Sequence, residues 1–351
     1  MHHASTLRLE SRSFAPGRGS PPEVGLRVAV TGVAGFIGSN LAERLIARGD
    51  EVAGLDDLSH GSLENLGSLT THPRFHFHRG TILEAADLAV IAKGADALVH
   101  LAAGKIPRYG DALDTLVING AGGLEVLRAC RDHGVRRMVL ASTSDCYGRN
   151  PDVPFSEESA SVIGGPHVRR WSYAISKMFE EQALLAFRER HQLEGVILRL
   201  FGGYGPRQNM TWWGGPQSVF IGAALKGEPL EVHGTGEQTR SFTYVADMVE
   251  GFVRAVDVPA ADGEMLNIGA DREITIAALA RMVWKMVRDD EPRLKIVPLA
   301  TFGKYEDVQR RIPDNRRATR ILGYTPAVTL EEGLPRTIAW QREAMARAGQ
   351  L

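Results

Sequence analysis

The sequence predicts an α/β protein with a doubly wound parallel sheet and a smaller C-terminal substrate-binding lobe. In the first 200 residues, strand-like apolar runs alternate with stretches in which apolar residues recur at three- and four-residue steps, as at Ile37, Leu41 and Leu45. Strands that alternate with helices form parallel sheets that helices cover on both faces. The predicted strands are residues 26–30, 51–55, 74–78, 97–101, 137–141 and 196–200.

The order of these elements divides the 351 residues into a main domain and a lobe. The first residues are rich in Ser, Arg, Gly and Pro without an apolar period, which is typical of a disordered segment. Beyond residue 200 the elements are short and joined by Gly- and Pro-rich connections, although a helix over 244–255 returns to the main domain and a last helix covers 330–347. The predicted parts are a disordered extension over 1–24, a main domain over 25–200 and 240–262, and the lobe over 201–239 and 263–346.

Composition argues against several classes of protein. The 41 Lys and Arg residues and the 42 Asp and Glu residues give a formal net charge of −1, which offers no general attraction to nucleic acid or to acidic membranes. No apolar run reaches the roughly 18 residues that a membrane-spanning helix needs. The two cysteines, Cys130 and Cys146, lack metal-ligand spacing. We therefore expect no metal site, no nucleic-acid or membrane partner, and a cytoplasmic location.

A glycine-rich turn follows the first predicted strand and leads into the first helix. Gly32 permits a tight turn, Gly35 lets the backbone approach a pyrophosphate, and Gly38 allows close packing of helix on strand. The N-terminus of the helix then faces the phosphates with free N–H groups and a positive dipole end. The second strand ends at Asp56, where a carboxylate accepts hydrogen bonds from ribose hydroxyls and repels a 2′-phosphate. This order predicts a Rossmann-type site for NAD rather than NADP, with a structural turn carboxylate as the alternative at Asp56.

A second group of side chains predicts catalytic chemistry. Tyr173 and Lys177 are four residues apart in a predicted helix and therefore share one face. An ammonium near a phenol favours the phenolate and moves the phenol pKa toward neutrality, as a general base requires. Among the seven tyrosines, only Tyr173 has a lysine at this offset. Thr143 lies in a Ser- and Thr-rich segment at the end of a predicted strand.

With these motifs the chain resembles the extended short-chain dehydrogenase/reductase family, the NAD-dependent nucleotide-sugar epimerases, dehydratases and decarboxylases. The resemblance runs from about residue 27 to about residue 340 and includes segments 100–103, 199–207, 238–245 and 311–314. It implies that Tyr173 is the base, that Lys177 holds the nicotinamide ribose, and that Thr143 hydrogen-bonds the sugar hydroxyl. The implied NAD contacts are Gly32, Gly35, Phe36, Ile37, Gly38, Asp56, Ile82, Leu101, Ala102, Ala103, Tyr173 and Lys177.

Within this family the chain looks most like the UDP-glucuronate decarboxylases. Thr143 is followed by Ser144 and Asp145, where such decarboxylases typically carry Ser-Glu and the 4,6-dehydratases Asp-Glu. Segments 165–173 and 305–313 resemble the oxidative UDP-glucuronate decarboxylase of lipid A modification, in which the Arg matching Arg311 assists decarboxylation. The resemblance thus implies Asp145 and Arg311 as further catalytic residues, and UDP-4-keto-pentose or UDP-xylose as products.

The implied substrate is a nucleotide-diphosphate sugar linked to UDP. Arg240 would meet the diphosphate, because its fork-shaped cation suits that group. Lys105 and Arg108 would clamp a substrate carboxylate, or else belong to a solvated basic loop. The other predicted substrate-binding residues are Tyr109, Ser144, Arg207 and Arg311.

Other activities stay open at this point. A C4-epimerase for UDP-glucuronate or UDP-glucose needs only Thr143, Tyr173 and Lys177, and a 4,6-dehydratase could use Asp145 as its acid–base. A non-catalytic NAD-binding protein is a distant alternative, against which the intact catalytic set argues. The resemblance also implies a homodimer, in which helices around 112–133 and 171–191 pair with a second subunit as a four-helix bundle.

Overall fold

A seven-stranded parallel sheet forms the centre of the computed structural model, which describes residues 25–105, 111–302 and 306–351. The strands are β1 (Arg27–Thr31), β2 (Glu51–Asp56), β3 (Phe75–Arg79), β4 (Ala97–His100), β5 (Arg137–Thr143), β6 (Glu194–Leu200), β7 (Gly203–Tyr204), β8 (Leu230–His233), β9 (Thr239–Arg240), β10 (Thr243–Tyr244), β11 (Met265–Ile268), β12 (Ile274–Thr275) and β13 (Leu294–Val297). Across the central sheet the order is β11, β6, β5, β4, β1, β2, β3. The predicted doubly wound parallel sheet is confirmed.

Helices cover both faces of this sheet. They are α1 (Phe36–Arg48), α2 (Leu63–Leu66), α3 (Ala85–Ala92), α4 (Ala112–Leu116), α5 (Gly123–Asp132), α6 (Trp171–His191), α7 (Pro216–Lys226), α8 (Val245–Asp257), α9 (Ile276–Val287), α10 (Arg316–Leu322) and α11 (Leu330–Arg347). Successive residues of a strand point to opposite faces, so Val28 and Val30 pack with α1 and α8, whereas Ala29 packs with α3, α5 and α6. None of the described helices combines the length and apolarity needed to cross a membrane.

The six strands predicted from apolar runs are present, with ends that differ by up to two residues. The seventh, β11, lies inside the range predicted for the lobe, and it pairs in parallel with β6 at the edge of the main sheet. Met265–Ile268, which the prediction assigned to the lobe, is thus a strand of the main sheet. Its length explains why the sequence did not predict it: four residues, one of them Asn267, give no apolar run above background.

The lobe is built from short parallel and antiparallel pairs, β8 with β13 and β9 with β12, packed against α7 and α9. Its buried side chains, among them Phe220 and Trp284, belong to the same apolar cluster as Leu41 of α1. Lobe and sheet therefore share one continuous core. The extension predicted over 1–24, and the candidate substrate residues Arg108 and Tyr109, lie outside the described residues.

Candidate active site

A large cleft opens where β1, β2, β4, β5 and β6 end, between the sheet and the lobe, and its volume is about 1180 Å³. The chain leaves β1 and β4 in opposite directions across the sheet, because β2 and β3 lie on one side of this pair and β5 and β6 on the other. Such a switch point is where open parallel sheets bind their ligands. All the predicted site residues that the structure describes line this cleft, with the exception of Lys177, which is buried behind Tyr173.

The glycine turn leaves a cradle at one end of the cleft. Gly32 has a φ of 72° in the left-handed region, and a Cβ atom there would lie 2.8 Å from the backbone nitrogen of Ala102. A Cβ atom at Gly38 would lie 2.1 Å from the carbonyl oxygen of Gly32. A side chain at Gly32 would push the turn away from the segment that follows β4, and one at Gly38 would push α1 away from the turn. The N-terminus of this 13-residue helix therefore faces the cleft at close range, which suits a pyrophosphate.

Asp56 closes the same end of the cleft at the last position of β2. Its carboxylate accepts hydrogen bonds from the backbone N–H groups of Ala34 and Leu58, both at 2.9 Å. Burial raises the pKa of Asp56, and these two donors act in the opposite direction. Asp56 thus holds the glycine-turn loop, as the structural alternative proposed, and it also lines the cleft where the adenosine ribose is expected.

The predicted catalytic residues lie at the other end, where β5 and α6 meet. Thr143 is the last residue of β5, and its hydroxyl accepts a hydrogen bond from the backbone N–H of Asp145 at 3.2 Å and pairs with the phenol of Tyr173. Helix α6 is fixed in place by buried Asn119, whose side-chain amide donates to Ser176 at 2.9 Å. Because Ser176 lies between Tyr173 and Lys177 in the sequence, this contact aligns the helical face that carries both.

The electrostatics of Tyr173 differ from the sequence prediction. Burial raises the pKa of Tyr173 far above its ordinary value, and the nearby carboxylates of Asp145 and Glu180 raise it further. The Lys177 ammonium forms a buried ion pair with Glu180, and the pKa of Tyr173 stays raised in its presence. The expected movement of the phenol pKa toward neutrality by Lys177 is therefore absent from the protein alone.

Three arginines and two aspartates form a network in the cleft wall, which we call the arginine–aspartate network. Asp145 accepts hydrogen bonds from Arg311 and, at 3.0 Å, from Arg170. Asp307 pairs with Arg240 at 3.0 Å and with Arg170 at 3.4 Å. Burial alone would raise the pKa of Asp145, but the guanidinium groups of Arg311 and Arg170 outweigh it and lower the pKa to about 2. Asp145 is therefore ionised at neutral pH, and the five groups together carry a net charge of +1.

The remaining predicted substrate residues are spread along the cleft. Lys105 is exposed at the rim, and Ser144 is buried in the wall beside Thr143. Arg207 lies apart from the arginine–aspartate network, because it donates to the backbone carbonyl of Ser39 at 3.1 Å and pairs with Glu43, both on α1. It is therefore at the glycine-turn end of the cleft.

Sequence reasoning missed Arg170, Asp307 and Glu180 as parts of the site. Arg170 and Asp307 lie in segments 165–173 and 305–313, which carried the resemblance, but their pairing across 137 residues leaves no mark in the sequence. Glu180 follows Lys177 by three residues, a spacing that would have indicated the ion pair.

Comparisons with known proteins identify the family. The model of the NAD dependent epimerase/dehydratase family matches residues 28–269. The UDP-N-acetyl-alpha-D-glucosaminuronate decarboxylase of Bacillus cytotoxicus is 34% identical over 328 residues, which are 90% of this chain and 98% of the relative. The UDP-glucose 4-epimerase of Mycolicibacterium smegmatis is 34% identical (90% and 99% covered), and UDP-glucuronic acid decarboxylase 6 of Arabidopsis thaliana is 36% identical (88% and 87% covered).

Solved structures give the same result. The UDP-glucose 4-epimerase of Thermotoga maritima, solved with UDP-glucose, has a TM-score of 0.82 at 30% identity, with 91% of this chain and 100% of that chain covered. A dTDP-glucose 4,6-dehydratase from Streptomyces venezuelae, solved with NAD bound, has a TM-score of 0.83 at 29% identity, with 92% and 98% covered. The family predicted from the motifs is confirmed: the chain belongs to the NAD-dependent epimerase/dehydratase family, and its cofactor is NAD.

Proposed function

We propose that this chain is an NAD-dependent UDP-glucuronate decarboxylase, which oxidises C4 of the sugar, releases CO₂ and yields UDP-4-keto-pentose, UDP-xylose or both. The arginine–aspartate network carries the proposal. It presents a net positive charge in the part of the cleft that Tyr173 also lines, and a uronic acid is a nucleotide sugar that brings a carboxylate there. Two of the relatives are named decarboxylases of such uronic acids.

The glycine cradle and Asp56 fit NAD at the other end of the cleft. Gly32 and Gly38 clear the space that a pyrophosphate would occupy, and Asp56 would accept hydrogen bonds from the adenosine ribose. Lys177 would hold the nicotinamide ribose. When bound, NAD accepts the hydride from C4 of the sugar.

The protein's own residues then handle protons and charge. Tyr173 takes the proton of the C4 hydroxyl, which Thr143 orients. The sugar becomes a 4-keto uronic acid, the C5–C6 bond breaks, CO₂ leaves, and the bonding electrons enter an enolate. Thr143 and the now protonated Tyr173 donate hydrogen bonds to the enolate oxygen. A water molecule held by Arg311 and Asp145 would supply the proton that C5 takes up, which gives UDP-4-keto-pentose. UDP-xylose forms only if the hydride then returns to C4 and Tyr173 gives its proton to the C4 oxygen.

A C4-epimerase is the second candidate, because Thr143, Tyr173 and Lys177 suffice for it and one relative is named UDP-glucose 4-epimerase. Dehydration is less well supported. It needs an acid that gives up a proton near neutral pH, and the guanidinium groups beside Asp145 keep that carboxyl ionised down to about pH 2.

The product decides between these functions. We would incubate the protein with NAD and, separately, UDP-glucuronate, UDP-N-acetylglucosaminuronate, UDP-glucose and dTDP-glucose, and weigh each product by mass spectrometry. Loss of CO₂ from UDP-glucuronate is the expected result. Loss of water would indicate a dehydratase, and an unchanged mass with an altered C4 configuration an epimerase, and either would reject the proposal.

We also propose that the protein is a homodimer through α4 and α6. These packed helices expose apolar side chains between 40% and 66% accessible, which a second copy would cover; they are Leu113, Leu116, Ile175 and Phe179, joined by Val117. Sedimentation at micromolar concentration tests this, and a strictly monomeric profile would reject it.

A further inference from the structure

Glu180 is a buried carboxylate close enough to Tyr173, the proposed base, to raise its pKa. It lies one turn after Lys177 on α6, it is 2% exposed, and one of its oxygens forms the ion pair with the Lys177 ammonium. Within the described part of the chain its other oxygen, Oε1, has no hydrogen-bond partner. Burying a carboxylate costs free energy unless it is paired, so the Lys177 ammonium is what keeps this one in place.

His100, at the end of β4, approaches the same Glu180 oxygen as the Lys177 ammonium does. Its Nε2 is 3.8 Å from the Glu180 carboxylate, and its Nδ1 forms a 2.7 Å hydrogen bond with the Thr31 hydroxyl. Burial and the Lys177 charge hold the pKa of His100 well below its ordinary value, so the imidazole is neutral at neutral pH. The charge of Glu180 is therefore balanced by Lys177 and not by His100.

The fold makes space for this carboxylate at Gly123. A Cβ atom on Gly123 would lie 2.9 Å from Cγ of Glu180, closer than carbon atoms pack. The backbone at Gly123 is ordinary helix, with φ of −59° and ψ of −38°, so the glycine is not needed for its conformational freedom. It is needed because Glu180 occupies the volume that any side chain would take.

We infer that Glu180 is a positioning residue for the catalytic base: it holds the Lys177 ammonium, and its charge sets the pH range in which Tyr173 accepts the substrate proton. The inference rests on the NAD-dependent oxidation and not on the loss of CO₂. The ionisable groups that act on Tyr173 are Asp145 and Cys146 from the turn after β5, and Glu180 from α6.

The groups that face Glu180 itself are Lys177 and Glu181 from α6, and His100 from β4. Burial raises the pKa of Glu180 to about 7, although Lys177 lowers it, so this carboxyl changes its charge in the range where the enzyme would work. Ionised Glu180 opposes ionisation of Tyr173. It would also attract the positively charged nicotinamide ring of bound NAD, whose ribose Lys177 is proposed to hold.

Glu180→Gln tests both effects, because the amide oxygen still accepts a hydrogen bond from Lys177 while the negative charge is gone. With UDP-glucuronate as the probe, the acid limb of the kcat/KM profile should move to lower pH by about one unit, since one of the charges that raise the Tyr173 pKa is removed. Glu189→Gln is the matched control, an exposed carboxylate on the same helix, and it should keep the wild-type profile.

NAD binding gives a readout that needs no turnover. The Kd for NAD, measured by tryptophan fluorescence, should fall by about threefold between roughly pH 6 and pH 8 in the wild type and in Glu189→Gln, as Glu180 ionises. In Glu180→Gln it should be independent of pH over this range. If UDP-glucuronate is not turned over, the proposed function fails, and this binding measurement still decides the inference.

Gly123→Ala provides a second variant in case Glu180→Gln does not fold. It keeps the charge but displaces the Glu180 side chain, so we expect a smaller change of the NAD pH dependence in the same direction. The inference is overturned if Glu180→Gln behaves like Glu189→Gln in both measurements, or if its acid limb moves to higher pH. Should Glu180→Gln not fold, the inference is overturned if Gly123→Ala folds and has the same pH dependence as the wild type.

Discussion

Asp145→Asn removes one charge from the arginine–aspartate network and tests its energetics. The Asp145 side chain is 23% exposed, and its pKa falls from an ordinary 3.8 to about 2 because the guanidinium groups of Arg311 and Arg170 outweigh the effect of burial. A depression of this size corresponds to about 2.5 kcal/mol in favour of the folded protein with Asp145 ionised. Asparagine keeps the shape without the charge, so we expect it to lower the free energy of unfolding by about 2 kcal/mol at pH 7.

The pH dependence of this difference has a definite sign. A carboxyl whose pKa is lower in the folded state stabilises the protein above its unfolded pKa, and the contribution disappears as the pH falls through the folded pKa. In urea unfolding, the difference between wild type and Asp145→Asn should be constant from neutral pH to about pH 5 and should shrink below about pH 4. Asp152→Asn, an exposed control, should change stability by less than about 0.5 kcal/mol.

The same variant separates two steps of the reaction. Asp145→Asn should still oxidise C4, seen as NADH absorbance, whereas CO₂ release should slow by roughly 100-fold because Arg311 loses the carboxylate that orients it. Arg311→Ala should likewise still oxidise C4 and release CO₂ more slowly. Unimpaired CO₂ release in both variants, or an Asp145→Asn protein as stable as the Asp152→Asn control, would refute the role assigned to this ion pair.

Three further changes have clear expectations. Gly38→Ala places a methyl group 2.1 Å from a backbone carbonyl of the glycine turn and should weaken NAD binding by roughly 100-fold, measured by titration, whereas Gly120→Ala, with open space around it, should leave binding unchanged. Tyr173→Phe removes the proposed base and should reduce NADH formation by at least roughly 1000-fold without lowering the melting temperature. Phe179→Asp places a charge on the proposed dimer face and should give a monomer in sedimentation, while Val90→Asp, on an exposed part of α3, should not.

The periodicity of apolar residues was sufficient to predict the long strands and helices. A helix such as Trp171–His191 has the 3.6-residue pattern over several turns, and six strands are bounded by clear changes of pattern. Met265–Ile268 was not predicted as a strand, because four residues contain too few alternations of apolar and polar side chains. The helix predicted over 112–133 is interrupted by a π-helical segment, Val117–Gly122, where buried Asn119 bonds to the backbone of Gly104. A tertiary contact of this kind has no periodic signature.

The sequence predicted only those parts of the candidate site whose residues are close together along the chain. The glycine turn, and Tyr173 with Lys177, are set by spacing along one element. The pKa of Tyr173 is not, because it depends on which group holds Lys177 and on how deeply both are buried. The spacing of Lys177 and Glu180 is compatible with a solvated helix face, and only the packing of α6 against Gly123 makes the pair a buried one.

Asp145 illustrates why an acid at a given position does not by itself define the chemistry. A general acid must change its protonation state near the working pH, and a carboxyl that contacts two guanidinium groups does not, since its pKa is about 2. Replacing one of these contacts should move it toward the ordinary value, so Arg170→Leu should raise the pKa of Asp145 and shift the pH dependence of stability to higher pH. If the pH dependence of unfolding is the same in Arg170→Leu as in the wild type, Arg311 alone fixes the ionisation of Asp145. Whether Asp145 transfers a proton or only holds a charge is thus decided by two arginines, Arg170 just before α6 and Arg311.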